Sequence, residues 1–186
     1  MNRFLLALFL GFLAFPAAAQ LQFKERMETP AASFEPIYEL IRIPSGLVAF
    51  RTFQARNLTA DLVFEYYLTS DLLQSDSIKE VKIQAGYDMI GYDSDEDQLY
   101  VLFAKGDDAA ADKYVLHLDL STQIGVEYAA DNLLPMDLVE FLVLDKKAIF
   151  MGNADARPVV QIFSMEEKTI QTVQGIYGNE THVVQI

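Results

Sequence analysis

Three stretches of the chain hold residues whose types and spacing could do chemistry. The first is Asp93-Ser94-Asp95-Glu96-Asp97, where oxygen-bearing side chains fall at alternate positions, as at the start of a calcium loop. Such a loop needs glycine at its sixth position and a bidentate glutamate at its twelfth. Here those positions are Gln98 and Ala104, and apolar sequence resumes at once. A solvated hairpin turn without metal is therefore the expectation. The second is His117, set between Leu116 and Leu118; the other histidine, His182, has no readable context. The third is a set of polar loops: Ala55-Arg56-Asn57-Leu58-Thr59, the segment from Lys105 through Asp107 and Asp108 to Asp112, and Gly152-Asn153-Ala154-Asp155-Ala156-Arg157. Binding residues often sit on loops presented by a rigid scaffold. Arg56, Asp107, Asp108, Asn153 and Arg157 are accordingly the candidate ligand-binding residues.

Several chemistries are excluded at this level. There is no cysteine, so no disulfide framework, thiolate metal site or cysteine nucleophile can form. No Gly-x-Ser-x-Gly elbow, His-Glu-x-x-His pair or Gly-x-x-x-x-Gly-Lys phosphate loop occurs. No catalytic residue and no cofactor are assigned. The formal charge of −13 makes the chain a poor partner for nucleic acid, because phosphate contacts need clustered Lys and Arg.

The elements that must position these residues are strands. After a polar lead over residues 20–36, short runs of β-branched and aromatic residues are broken by Gly, Pro, Asp and Asn. In Tyr114-Val115-Leu116-His117-Leu118-Asp119-Leu120, Tyr114, Leu116, Leu118 and Leu120 share one face. Leu99-Tyr100-Val101-Leu102-Phe103 has no polar face, which predicts a strand covered on both sides. Strands are predicted at 37–43, 47–54, 61–69 and 78–84, at 87–92, 98–104, 113–120 and 124–128, and at 138–144, 147–152, 158–164 and 169–174. His182-Val183-Val184-Gln185-Ile186 would open a fourth set.

These strands recur as sets of four. Phe64-Glu65-Tyr66, Leu116-His117-Leu118 and Val160-Gln161-Ile162 align as one slot, a polar residue between apolar ones on the third strand. A slot that takes Glu, His and Gln is expected to face water, which leaves His117 no catalytic role. Ile43-Pro44-Ser45-Gly46 matches Leu144-Asp145-Lys146-Lys147 before an apolar strand. Four-stranded antiparallel units repeating every 40–50 residues predict an all-β partial β-propeller of about three blades plus one strand over residues 37–186; the alternative is a β-sandwich.

The Pro-Ser-Gly and Asp-Lys-Lys turns between first and second strands resemble the WD40-like and TolB-type propeller repeats of bacterial periplasmic proteins. The chain departs from true WD40 repeats in having no tryptophan at all. Propeller lactonases and related hydrolases gather Glu, Asn and Asp about a central metal, a set this sequence does not display. The resemblance implies a scaffold whose loops face one way, and a chain that is the N-terminal piece of a longer, closed propeller.

Residues 1–19 predict the compartment. Arg3 precedes an apolar run from Phe4 to Phe15, and Pro16-Ala17-Ala18-Ala19 supplies the small residues of a cleavage site before Gln20. The apolar run is too short for a membrane anchor. The expected mature protein is periplasmic or extracellular and carries no lipid anchor, since no cysteine follows the cleavage point. Three readings remain open: a non-catalytic binding module that holds a protein or glycan partner, the front part of a propeller hydrolase whose metal ligands lie beyond Ile186, or a β-sandwich domain of an adhesin-like protein.

Overall fold

A computed structural model of the chain describes residues 36–54, 62–69 and 77–173. The predicted signal segment over 1–19, the loop carrying Arg56, His182 and the predicted strand over 182–186 lie outside the described residues.

Twelve strands are described, without a helix among them. They are β1 Glu39–Ile43, β2 Gly46–Gln54, β3 Leu62–Thr69, β4 Lys79–Lys82, β5 Asp88–Asp95, β6 Gln98–Ala104, β7 Lys113–Asp119, β8 Ile124–Ala129, β9 Asp137–Leu144, β10 Lys147–Ala154, β11 Arg157–Ser164 and β12 Thr169–Thr172. They form three four-stranded antiparallel sheets, each an up-and-down meander: β1-β2-β3-β4, β5-β6-β7-β8 and β9-β10-β11-β12. All twelve expected strands in these residues are present, grouped as expected. The sheets do not close on one another among the described residues.

Turn chemistry explains how short the connections are. Asp145 and Lys146 between β9 and β10 both have positive φ (50° and 59°), as do Asp155 and Ala156 between β10 and β11 (49° and 60°). Two successive left-handed residues make the tight hairpin whose twist matches its strands. The predicted loop over 152–157 is therefore only a two-residue turn, and Asn153 belongs to β10 rather than to a loop.

The middle sheet is covered on both faces, as the unbroken apolar run of β6 requires. Leu99, Val101 and Phe103 point towards Val48, Phe50, Phe64 and Tyr66 of the first sheet, with Leu116 and Leu118 of β7 beside them. Tyr100, Leu102 and Val115 point the other way, onto Phe141, Val143, Ala148, Phe150 and Phe163 of the third. Phe64 and Phe103 meet edge to face at 6.2 Å, a geometry that aromatic quadrupoles favour. Face-to-face packing of this kind occurs both in sandwiches and between propeller blades. At one margin of the stack the first strands run side by side, β1 against β5 and β5 against β9.

The alignment of the three polar slots needs correction. Phe64 and Tyr66 face the second sheet, so Glu65 points away from it. Leu116 and Leu118 face the first sheet, so His117 points towards the third. Gln161 shares the face of Val159 and Phe163 and points back towards the second sheet. Glu65 and Gln161 thus occupy like positions, and His117 is on the opposite side. Nor is the slot watery: Glu65 is 6% exposed and Gln161 2%. Burial is tolerated because each polar atom is partnered. Glu65 accepts from Arg51 Nε at 2.9 Å and from the Tyr38 hydroxyl, and Arg51 lies over the Tyr38 ring. Burial and the Glu65 carboxylate push the Tyr38 hydroxyl well above its usual range. Gln161 accepts from the Leu134 amide at 2.8 Å and donates to Thr172 Oγ1 at 3.0 Å, pinning the β8–β9 connection to the third sheet.

Candidate functional site

The described stretches among those singled out by residue type have definite places in this scaffold. The acidic run Asp93–Asp97 is not a free turn. Asp93 and Asp95 lie in β5, and only Glu96 and Asp97 turn the chain into β6. The carboxylates reach sideways to the neighbouring sheets. Asp93 Oδ2 accepts from the Val143 amide at 2.6 Å, and Asp95 Oδ2 from the Asp145 amide at 3.2 Å, both on the third sheet. Asp97 Oδ1 accepts from the Ser45 amide on the first sheet at 3.2 Å. Ionised acceptors make hydrogen bonds stronger than neutral ones. The run therefore ties three sheets together at the first-strand margin. Among the described residues no group of three His, Asp or Glu side chains is gathered to hold a metal ion.

His117 is likewise a packing residue. Its ring stacks on Tyr100 at 4.6 Å and 9°, and its Nε2 lies 2.6 Å from Gln98 Oε1. Burial holds its pKa below the ordinary value, with Lys146 adding to the effect and Asp119 opposing it. Burial, with the nearby charge of Asp95, pushes the Tyr100 hydroxyl up to about 12.

Of the third stretch, the loop from Lys105 to Asp112 borders a cleft. Asp107 and Asp108, on the β6–β7 loop, form one wall with Gly106 and Lys113; Met136, Asp137 and Leu138, at the start of β9, form the other, and Ile90 of β5 lies between them. The cleft has a volume of about 330 Å³. A groove of about 360 Å³ shares Ile90 and Leu138 with it and runs on between β5 and β9 past Tyr92, Glu140 and Phe141. Sites of this size with an apolar floor and a few polar groups are the usual form of a small-ligand or side-chain pocket.

Local bonding fixes the loop wall. Asp108 Oδ1 accepts from the Ala110 amide at 2.9 Å, and the Lys113 ammonium donates to the carbonyls of Ala109 and Ala111, both at 3.0 Å. Lys105 and Asp112 close the loop through their backbones at 2.9 Å. Burial lowers the Lys113 pKa, and the charges of Asp108 and Asp112 pull it back up. With Lys113 spending two of its three N–H groups on carbonyls, the cleft presents mainly the carboxylates of Asp107, Asp108 and Asp137, and Glu140 further along the groove.

The candidate residues therefore divide. Asp107 and Asp108 line the cleft. Asn153 pairs with Asp137 across β10 and β9, which places it beside the opposite wall. Arg157 is exposed at the start of β11 and is not part of the lining. Arg56 lies outside the described residues. Residue type alone passed over Ile90, Lys113, Met136 and Asp137. Met136 and Asp137 follow the β8–β9 connection, whose residues Ala130–Leu133 lie beside the β6–β7 loop.

The arrangement can hold a neutral or cationic group against an apolar floor. No family model matches the chain, and comparison with curated proteins finds no relative.

Proposed function

We propose that the chain is a non-catalytic binding module, exported to the periplasm or cell exterior, which holds a protein or glycan partner in the cleft between the β6–β7 loop and the start of β9. The observation that carries this reading is the cleft itself: two predicted loop residues, Asp107 and Asp108, stand opposite Asp137 over apolar Ile90, Met136 and Leu138. The scaffold reading that goes with it is an open arc of three propeller blades. It is supported by the side-by-side first strands β1, β5 and β9, which are the strands that surround the axis in a propeller. On that reading the groove along β5 and β9 is the axial one, and the cleft is its mouth. The carboxylate lining favours neutral or cationic partners over anionic ones.

The test is a titration of isotopically labelled protein with a neutral chito-oligosaccharide and, separately, with a short lysine-containing peptide. Amide shifts for either ligand should cluster at residues 104–113 and 136–138, and joint replacement Asp107→Ala, Asp108→Ala should remove them. Saturable shifts confined to any other surface, or none with either ligand, would overturn the proposal.

A further inference from the structure

Each meander ends in an outer strand, β4, β8 or β12, and these three outer strands are not guarded alike. An exposed sheet edge offers unpaired N–H and C=O groups to any extended chain, and proteins commonly blunt it with lysine or other charges. β4 is Lys79-Glu80-Val81-Lys82, and β12 is the polar Thr169-Ile170-Gln171-Thr172 directly after Lys168. β8 is Ile124-Gly125-Val126-Glu127-Tyr128-Ala129, with no lysine and no proline. Its Ile124 is 60% exposed and its Val126 43%, two large apolar side chains at alternate positions on one face.

The backbone of β8 is also correctly turned for a further strand. Ala130 donates to the Lys113 carbonyl on β7 at 2.9 Å. An antiparallel ladder alternates, so Tyr128, Val126 and Ile124 bond to β7, while Gly125, Glu127 and Ala129 direct N–H and C=O outward. The surroundings are acidic. Glu127, Asp112 and Asp131 all act on Tyr87 at the C-terminal end of β8, and at the other end Asp119 closes β7, its carboxylate accepting from Ser121 and Thr122. The cations nearby are engaged: Lys113 with two carbonyls, and Lys146 with Glu166 at 3.1 Å.

From this we infer that β8 is a docking edge for an extended basic peptide, which adds to the second sheet as a fifth strand. Its apolar residues, at every second position, pack beside Ile124 and Val126. Its basic residues, on the alternate face, meet Glu127 and the carboxylates around it. Main-chain hydrogen bonds supply the attachment and alternate side chains the selectivity. A second copy of this chain fits poorly as the occupant, because it would bring a second Glu127 and further acidic charge to the same edge.

The experiment uses the full chain at about 0.15 M salt, where loose surface attraction is screened, and a labelled short peptide of alternating valine and lysine. Binding is read by fluorescence anisotropy, with a valine–glutamate peptide as control. The valine–lysine peptide should bind and protect the amides of residues 124–129 from exchange; the valine–glutamate peptide should not bind. Ala129→Pro removes one outward N–H at a position where an edge strand accepts proline, and Val126→Lys installs the guard that β4 carries. Each should weaken binding by about tenfold or more, equivalent to losing at least one good contact, with the far-ultraviolet spectrum and melting temperature retained. Asp107→Asn in the cleft should leave the exchange protection of residues 124–129 unchanged. Equal binding of both peptides, no binding of either, or affinity indifferent to Ala129→Pro and Val126→Lys would overturn the inference. So would a dimer in sedimentation that Ala129→Pro dissolves, since the edge would then be serving its own copy.

Discussion

Two acidic segments of the same sheet, only ten residues apart, do opposite things. Asp93, Asp95 and Asp97 turn their oxygens to the amides of Val143, Asp145 and Ser45 on neighbouring sheets. Asp107 and Asp108 stand on an open cleft wall, and the carboxylate bond that defines their loop is local, donated by the Ala110 amide to Asp108. The first group is committed to holding the stack together, and the second is available to a ligand. Acidic composition is common to both. What separates them is whether a neighbouring sheet brings a backbone N–H within reach, and only the fold decides that.

The element common to both segments is β9, which carries Val143 beneath Asp93 and Asp137 on the cleft. Disturbing it should therefore have the largest effect. Gly152 of β10 packs against a bulge in β9, and a Cβ placed there would lie 2.4 Å from the Asp137 carbonyl oxygen. Backbone cannot yield as a side-chain tip can, so Gly152→Ala should destabilise the chain by about 3 kcal/mol, the upper range for overpacking. It should also displace the Asp137 wall. Urea unfolding gives the first effect and amide shifts at residues 136–138 the second; a loss below about 1 kcal/mol would mean that the bulge has room to absorb a methyl group.

Next in size is the clamp. Asp93→Ala leaves the amide of buried Val143 without its acceptor, and losing a hydrogen bond to a charged group costs about 2 kcal/mol. Asp93→Asn keeps an acceptor oxygen and should recover part of that loss. If Asp93→Ala unfolds at the wild-type urea midpoint, the two segments do not differ in the way described, and the contact of Asp93 with the third sheet carries no stability.

The strands were legible because their causes are local. Alternation in Tyr114–Leu120 and the unbroken apolar run of Leu99–Phe103 report directly on one buried face or two, and the structure places them so. The polar slots are less legible, because a three-residue pattern of apolar–polar–apolar fixes the face of a strand only relative to its own neighbours. It does not say which neighbouring sheet that face meets, so His117 was aligned with Glu65 and Gln161 although it points the other way. Burial of Glu65 was invisible for a related reason: its partners, Tyr38 and Arg51, are 27 and 14 residues distant. At the cleft, Asp107 and Asp108 were found because loops are polar, whereas Met136 and Asp137 needed the third dimension to bring β9 opposite the β6–β7 loop.

A pH series reports on the packing of His117 between Tyr100 and Gln98 in the second sheet. His117 has its pKa lowered by burial, so the neutral ring is favoured in the folded state. A base with a depressed folded pKa contributes stability above its unfolded value, about 6.5, and loses it as pH falls through the folded pKa below that. The melting temperature should therefore decline on going from pH 7 towards pH 5. His117→Gln, which cannot take up the proton, should flatten that decline; the same slope in wild type and variant would place the titrating group elsewhere.

The smallest expected effect bears most directly on the comparison. Joint replacement Asp107→Asn, Asp108→Asn removes two charges from the cleft wall while keeping the shapes of the side chains and an oxygen to accept from the Ala110 amide. Among the described residues neither carboxylate holds a neighbouring sheet, and surface changes away from buried features alter stability by no more than about 0.5 kcal/mol. Removing like charges from so acidic a chain also relieves repulsion, so the sign should be neutral or slightly stabilising. Urea midpoints measured beside those of Asp93→Ala give the contrast in one experiment. A loss for the double variant as large as that for Asp93→Ala would make Asp107 and Asp108 structural, and would take from the cleft the very side chains that qualify it to hold a ligand.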